Sequence, residues 1–338
     1  MERLDCVKVC LLALVMALPV SGATILHYDF EDGTPGTIMN DFPVTGVNGT
    51  VATADLSGNG YDMLAWDHIN GPAFSEEGDT PTGLGLSSYH DGDSDGYCYA
   101  ESLVAWSPSV WTIELSFKFD DADGWQTLIG RDDWTGIDGD IAASMYIQSN
   151  GIDNAMRITF ATVSDERYTL DSSFIPEPGK WYHIAVITEG DQLDTYIDEW
   201  DGNGFRNIGT LNMTEGVDHS LRPTGTWTFG RGWYNGGLVD QIRGNIDNVR
   251  FSDEALTLNQ LIPSVLRGTK DQAHDPQPLV GATAVPVDPV LSWTTGVDPD
   301  DENVPNPEIT QHNLWLSAPY DAANPPVNPD WYDPAVQV

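Results

Sequence analysis

The sequence predicts an all-β fold: a two-sheet antiparallel jelly-roll sandwich, with a short C-terminal β-like extension. Three observations predict it. Residues 111–119 alternate without a break, Trp111, Ile113, Leu115, Phe117 and Phe119 on one parity and Thr112, Glu114, Ser116 and Lys118 on the other. That period of two sends one face into a core and the other into water. From residue 24 to about residue 251, short apolar runs are separated by Gly, Asn and Asp clusters, the pattern of many short strands joined by turns. Helix signals are confined to one place.

The first segment reads as an export signal, residues 1–23. Arg3 and Lys8 precede an apolar run from Val9 to Leu18, Pro19 breaks it, and Ser21-Gly22-Ala23 supplies small residues for cleavage. The run is too short for a membrane-spanning helix, and no later stretch is long and apolar enough, so membrane insertion is not expected. Cys6 and Cys10 lie inside the signal and leave Cys98 alone. An intrachain disulfide is therefore excluded from the mature chain despite an exported, secreted or cell-surface location that permits one. Cys98, between Tyr97 and Tyr99, reads as a buried, inert thiol.

The strands follow in order. Leu26, Tyr28 and Phe30 alternate near the start. Trp181–Thr188 is apolar at both parities, as in a central strand covered on both faces. Further candidates are Met145–Gln148, Met156–Thr162, Tyr168–Leu170, Leu193–Ile197, Thr226–Phe229 and Asn245–Phe251. Trp111, Trp181 and Trp227 have core parity. The one helix signal lies at 257–263: Thr257 and Gln260 have capping-box spacing, Leu258, Leu261 and Ile262 form an apolar patch, and Pro263 ends it. The main domain thus spans 24–262. Residues 263–281 read as a polar linker. Residues 282–338, with strand-like pieces at Val290–Trp293 and Asn313–Ser317, read as part of a further module or a disordered tail.

The chain carries 14 basic and 52 acidic residues, a net charge of −38. Such a surface repels nucleic acid and anionic membrane, which need Lys/Arg clusters. Solubility in salt and oxygen-rich loops for hard cations are both compatible with it.

Four stretches resemble the laminin-G-like jelly rolls of the concanavalin A-like lectin/glucanase superfamily. They are Ile25–Gly33, Asp55–Tyr61, Trp181–Val186 and Gly244–Leu256, in the family's order. Residues from Pro278 through Trp293 resemble the opening strands of a fibronectin-III-like or immunoglobulin-like module. The first resemblance implies the fold over about 24–262. It leaves function open, since the superfamily hosts lectins, adhesion modules, glycanases and spacers.

The alternating carboxylates of a glucanase cleft have no counterpart; the nearest run, Asp198-Glu199-Trp200-Asp201-Gly202, reads as a hairpin turn. Metalloprotease, nucleophile-elbow and phosphate-loop motifs are missing. The expectation is therefore a non-catalytic module, binding a glycan or a cell-surface protein, with a structural spacer as the alternative and an enzyme of the same fold third.

Asp247 shares strand parity with Val249 and Phe251, so it is expected to face the core. A carboxylate there needs a partner: turn N–H groups or a metal. The family resemblance brings Glu31, Asp32, Asn59 and Asp247 into one oxygen-rich corner, where a structural calcium ion would tie the first strand to the last. The loop Asp91–Gly96 has only half of an EF-hand pattern, with Ser102 where the bidentate acid belongs. Trp125, Trp134, Trp200 and Trp233 sit beside Gly, Asp or Asn in loop-like stretches and are the candidate sugar-stacking residues; folding back over the sandwich ends is the competing reading.

Overall fold

A computed structural model describes residues 24–39, 50–66, 72–78, 85–92, 97–121, 123–132 and 143–266, with short pieces at 274–277, 292–294, 297–298 and 301–305. The export signal, most of the half EF-hand loop, Trp134 and the piece Asn313–Ser317 lie outside the described residues. Two compact units divide the chain, one ending at Thr257 and the other starting at Leu258.

The first unit is built of strands β1 (Thr24–Tyr28), β2 (Thr50–Thr53), β3 (Met63–Trp66), β4 (Ala73–Ser75), β5 (Ser87–Asp91), β6 (Tyr97–Ala100), β7 (Trp111–Phe119), β8 (Gln126–Arg131) and β9 (Met145–Ser149). They continue with β10 (Met156–Ala161), β11 (Arg167–Asp171), β12 (Tyr182–Glu189), β13 (Gln192–Asp198), β14 (Arg206–Asn212), β15 (Trp227–Phe229), β16 (Gly232–Tyr234), β17 (Gly237–Val239) and β18 (Arg243–Ser252). One eight-stranded sheet runs β14-β13-β12-β7-β18-β5-β4, with β1 also paired to β18; a second runs β11-β10-β9-β8-β15-β6-β3-β2. Their pairings are antiparallel. This is the jelly-roll sandwich expected from the alternation.

The core lies between the sheets. Trp111, Ile113, Leu115, Phe117 and Phe119 point into it from β7, and Tyr182, Ile184 and Val186 from β12. Trp227 and Phe229 meet them from the opposite sheet; Trp227 stands edge-on to Phe251 with ring centroids 4.8 Å apart. Each such side chain contributes about 1.5–3 kcal/mol by leaving water. Cys98 is buried and free, and burial pushes its thiol up to about 12, which makes it the inert thiol expected.

Four expectations are corrected. The solvent face of β7 is covered: Thr112 is 1% exposed, and Glu114 and Ser116 are fully buried. Residues 254–256 cover Thr112, whose hydroxyl donates to Glu254 O and accepts from Leu256 N–H. Secondly, Trp181 is half-buried beneath the Lys118 ammonium, 5.8 Å from its ring centroid, and is no core residue. Thirdly, Pro263 does not stop the helix: a 3-10 turn, Leu258–Gln260, leads into α1, Ile262–Leu266. Pro263 occupies its first turn, where a missing N–H costs nothing. Fourthly, the segment read as linker contains a strand, His274–Gln277, paired with Ser292–Thr294; the expected piece at Val290–Trp293 overlaps the second of these.

Candidate functional site

The hairpin run is a turn, as its sequence suggests. Glu199 accepts from Lys180 Nζ at 2.5 Å and from Arg206 Nη2 at 2.6 Å, and Asp201 accepts the Asn203 N–H at 3.0 Å. Those bonds hold the Glu199 carboxyl below its usual range, Lys180 first and Arg206 second. A carboxylate tied in this way is a salt-bridge hub.

Sequence reasoning missed a polar relay on the outer face of the first sheet. His183 reaches Ser116 Oγ through Nδ1 at 2.7 Å and Glu114 Oε2 through Nε2 at 2.8 Å. Glu114 Oε1 accepts from Arg250 Nε at 2.6 Å. Trp200 and Phe205, carried by the β13–β14 hairpin, stand edge-on to the imidazole at 6.3 and 5.9 Å between centroids. Ser116, His183 and Glu114 are each 0% exposed. The relay is inlaid in the fold, and no substrate reaches the hydroxyl as it stands.

The four metal candidates are not drawn into one cage. Glu31 Oε1 accepts from Leu86 N–H at 2.8 Å. Asp32 accepts from the Thr53 hydroxyl at 2.7 Å and from Ala54 N–H at 2.9 Å, one on each oxygen. Asn59 Nδ2 donates to Thr24 O and Ile25 O at 3.1 and 3.0 Å, so it grips the start of β1 while Asp32 follows its end. Asp247 does not face the core. A bulge between Asp247 and Arg250 puts Asp247 opposite Ser116 on the outer face, because Asn248 takes a φ of 46° and adds one residue to β18. Asp247 Oδ1 accepts the Asn248 N–H at 2.7 Å. Asp55 also ties β1 to the turn that carries Asn59. It accepts from His27 N–H, Ser57 N–H and Tyr61 N–H at 3.0, 2.9 and 3.0 Å and from the Ser57 hydroxyl at 2.7 Å. Burial raises its pKa, but the bonds from Ser57, His27 and Tyr61 outweigh this and leave it lowered. Calcium takes 6–8 oxygens free to point inward. Among the described residues, no group of three or more His, Cys, Asp or Glu is arranged to hold a metal ion.

The candidate tryptophans separate. Trp233 is 5% exposed and packs with Ala143 and Tyr146, so it is withdrawn as a sugar contact. Trp200 is half-buried over His183. Trp125, also half-buried, lines a cleft of about 280 Å³ with Gly92, Asp121, Asp123, Gln126, Asp240, Gln241 and Arg243. The β7–β8 loop and the link from β17 to β18 build that cleft. Gln126 holds them together: its Nε2 donates to Asp121 O at 2.9 Å and its Oε1 accepts from Arg243 N–H at 2.9 Å. Asp240 O accepts from Thr127 N–H at 2.7 Å. The Trp125 indole rests on Gly151, where a Cβ would come within 2.4 Å of the ring; the Arg157 guanidinium lies 5.2 Å from the ring centroid.

The charges in the cleft do not cancel. Asp121 Oδ2 pairs with Arg243 Nη1 at 3.1 Å, which leaves Asp123 and Asp240. Asp240 has a φ of 58°, and no described residue donates to its carboxylate. Burial raises its pKa to about 6. A partly desolvated, unpaired carboxyl on a strained backbone, beside an aromatic ring, is the arrangement of a ligand contact. No spacing in the sequence pointed to it, since Asp240 and Trp125 meet only through the fold.

A family model described as the concanavalin A-like lectin/glucanases superfamily, laminin-G type, matches residues 91–261. Solved structures with a similar fold include domain 4 of AbnA, a GH43 extracellular arabinanase from Geobacillus stearothermophilus, in complex with arabinotriose. It is 17% identical, with a TM-score of 0.44, over 71% of this chain and 96% of that one. The CBM40 of a Ruminococcus gnavus IT-sialidase, bound to α2,3 sialyllactose, is 15% identical with a TM-score of 0.38, over 48% and 84%. The botulinum neurotoxin serotype D ligand-binding domain, in complex with N-acetylneuraminic acid, is 10% identical with a TM-score of 0.46, over 72% and 50%. What these three bind is a property of those proteins. No curated protein matches the chain.

Proposed function

The chain belongs to the concanavalin A-like lectin/glucanases superfamily, and from that premise we propose that it is an exported, non-catalytic module that binds carbohydrate in the cleft beside Trp125. The observation that carries this reading is the cleft itself: an aromatic ring, side-chain amides and an unpaired carboxyl around a space of about 280 Å³. Sugars present C–H faces to aromatic rings and hydroxyls to carboxylates and amides. The test is a glycan array probed with the full chain and with Trp125→Ala. Glycan binding should weaken at least about tenfold in the variant, the loss expected when one stacked ring and its buried area go. Equal binding by both proteins would leave a structural spacer or a protein-binding surface as the better reading.

One observation favours a second reading, a glycan-active enzyme. Asp240 keeps its proton up to about pH 6, as a general acid requires. Product release from a polysaccharide panel, abolished in Asp240→Asn, would make the cleft an active site.

A further inference from the structure

Resting on the carbohydrate-binding reading, we propose that the Trp125 cleft selects sugars that carry a free, protonated amine, and that the Asp240 carboxylate is the group that receives the ammonium. Arg243 is the one cation among the residues lining the cleft. Its guanidinium is held by Asp121 Oδ2 at 3.1 Å, and its N–H by Gln126 Oε1 at 2.9 Å. Asp121 is spent on the same pair, and its Oδ1 also accepts from Gln126 Nε2 at 3.2 Å. Asp123 and Asp240 remain, with no hydrogen bond to either carboxylate among the described residues.

A neutral sugar leaves that charge uncompensated. A uronic or sialic acid adds a like charge at close range. An ammonium group supplies what the cleft lacks, in a place already partly stripped of water, where a charge-assisted hydrogen bond is stronger than at an open surface. Trp125 supplies the complementary surface for the ring that bears the amine. The net charge of −38 works in the same direction at longer range, drawing cationic chains and repelling anionic ones.

Four β-1,4-linked tetrasaccharides are compared by titration calorimetry on the full chain in near-neutral, low-salt buffer, where the Asp240 carboxylate is ionised: the glucosamine, N-acetylglucosamine, glucose and galacturonic acid oligomers. The glucosamine oligomer should bind about tenfold tighter than the glucose oligomer, the ratio that one charge-assisted hydrogen bond supplies. The galacturonic acid oligomer should be the weakest. Asp240→Asn should bring the glucosamine and glucose affinities together; asparagine accepts the left-handed backbone at this position, so the variant folds. Equal affinity of the wild-type chain for glucosamine and glucose oligomers would overturn the proposal and leave carbohydrate binding intact. Tetrasaccharide affinities that ignore Trp125→Ala would instead overturn the carbohydrate-binding reading on which it rests. A lysine-rich peptide that binds through Asp240 where the glucosamine oligomer does not would overturn the proposal in favour of a protein partner.

Discussion

Asp247 lies directly across the β7–β18 ladder from Ser116. Strand alternation alone would have turned it into the core. Asn248 adds one residue to β18, so the parity set by Val249 and Phe251 is reversed before Asp247 is reached. Ser116 in turn pairs with His183, and His183 with Asp198. A single row across four strands therefore reads Asp247, Ser116, His183, Asp198, each no more than 2% exposed. The outer face of this sheet is a polar layer with its own covering.

The bulge predicts a specific intolerance. Asn248 occupies a left-handed conformation at φ 46°, which glycine shares and β-branched residues resist. Asn248→Val should destabilise by about 1–2 kcal/mol and lower the melting temperature by several degrees. Asn248→Gly should stay close to the parent. Thermal melts of both variants check this; a valine variant as stable as the parent would mean that the bulge is not fixed by residue 248.

Glu114 is the joint of the relay. It accepts from both His183 and Arg250, and its side chain is fully buried. Removing one partner of a buried pair leaves the other charged and unsatisfied, at a cost of about 3–5 kcal/mol. Glu114→Ala should lower the melting temperature on the order of 10 °C for a domain of this size. Glu114→Gln should cost less, because its amide oxygen still accepts from one of the two donors. Equal losses in the two variants would mean that shape, and not the acceptor, is what the position requires.

The fold was legible because its signal is local. The alternation in β7 and the double-sided apolar run of β12 are written in consecutive residues. What was not legible depended on pairings between distant segments. The outer face of β7 looked like a solvent face because Thr112, Glu114 and Ser116 are polar. Their partners, Arg250, His183 and the chain at 254–256, come from elsewhere in the sequence. Asp247 was misplaced by one inserted residue, and only the Asp-Asn pair at 247–248 hints at it. Of the four candidate tryptophans, Trp125 lines the cleft, while Trp233 is packed away under the turn it carries. Residues beside Gly and Asp look alike in sequence whether the ring points out or in. Asp240 had no sequence signal at all, since its character comes from being buried without a partner.

His90 gives a pH dependence with a definite sign. It is fully buried, and desolvation lowers its pKa to about 3. Its Nε2 lies 2.9 Å from Ser88 Oγ, and its Nδ1 has no partner. Gly230 leaves room for the ring, since a Cβ there would come within 2.4 Å of it. As pH falls, the unfolded chain takes up this proton first, near its ordinary pKa of 6.5. The stability His90 contributes is present above that value and is lost as pH falls toward about 3. The slope is about 1.4 kcal/mol per pH unit within the window. Urea unfolding of the parent and of His90→Gln should therefore diverge in slope between those limits. Parallel stability curves would mean that the imidazole protonates in the folded state as easily as in water.

Asp240 acts in the opposite direction. Its folded pKa is raised to about 6 by burial, so the stability it contributes is present below its unfolded pKa of 3.8 and is lost as pH rises through about 6. The unliganded cleft is thus a place where the fold gives up stability at neutral pH. Asp240→Asn should be more stable than the parent at pH 7 and indistinguishable from it near pH 4, as read by denaturant midpoints. The gain should shrink when a cationic ligand occupies the parent cleft, because the ligand then stabilises the ionised form. A variant less stable than the parent at pH 7 would show that the carboxylate is held by contacts of its own.

The opening of the chain provides the last test. Asp55 receives four hydrogen bonds, from His27, Tyr61 and both donors of Ser57, and Asp32 spends one oxygen on Thr53 and the other on Ala54. These carboxylates already have the partners that a calcium ion would otherwise supply. Melting curves in chelator and in millimolar calcium should therefore superimpose. Asp55→Ala should lower the melting temperature equally in both, because it leaves the His27 and Tyr61 N–H groups to seek water at a cost of about 1–3 kcal/mol for each group that stays buried. A rise of several degrees in calcium but not in magnesium, abolished by Asp247→Ala and retained in Asp93→Ala, would establish the calcium corner through Glu31, Asp32, Asn59 and Asp247. The first strand would then be joined to the last by an ion as well as by their ladder, beside the hydrogen bonds of Asp55, Ser57 and Asn59 that join it to the 55–61 turn.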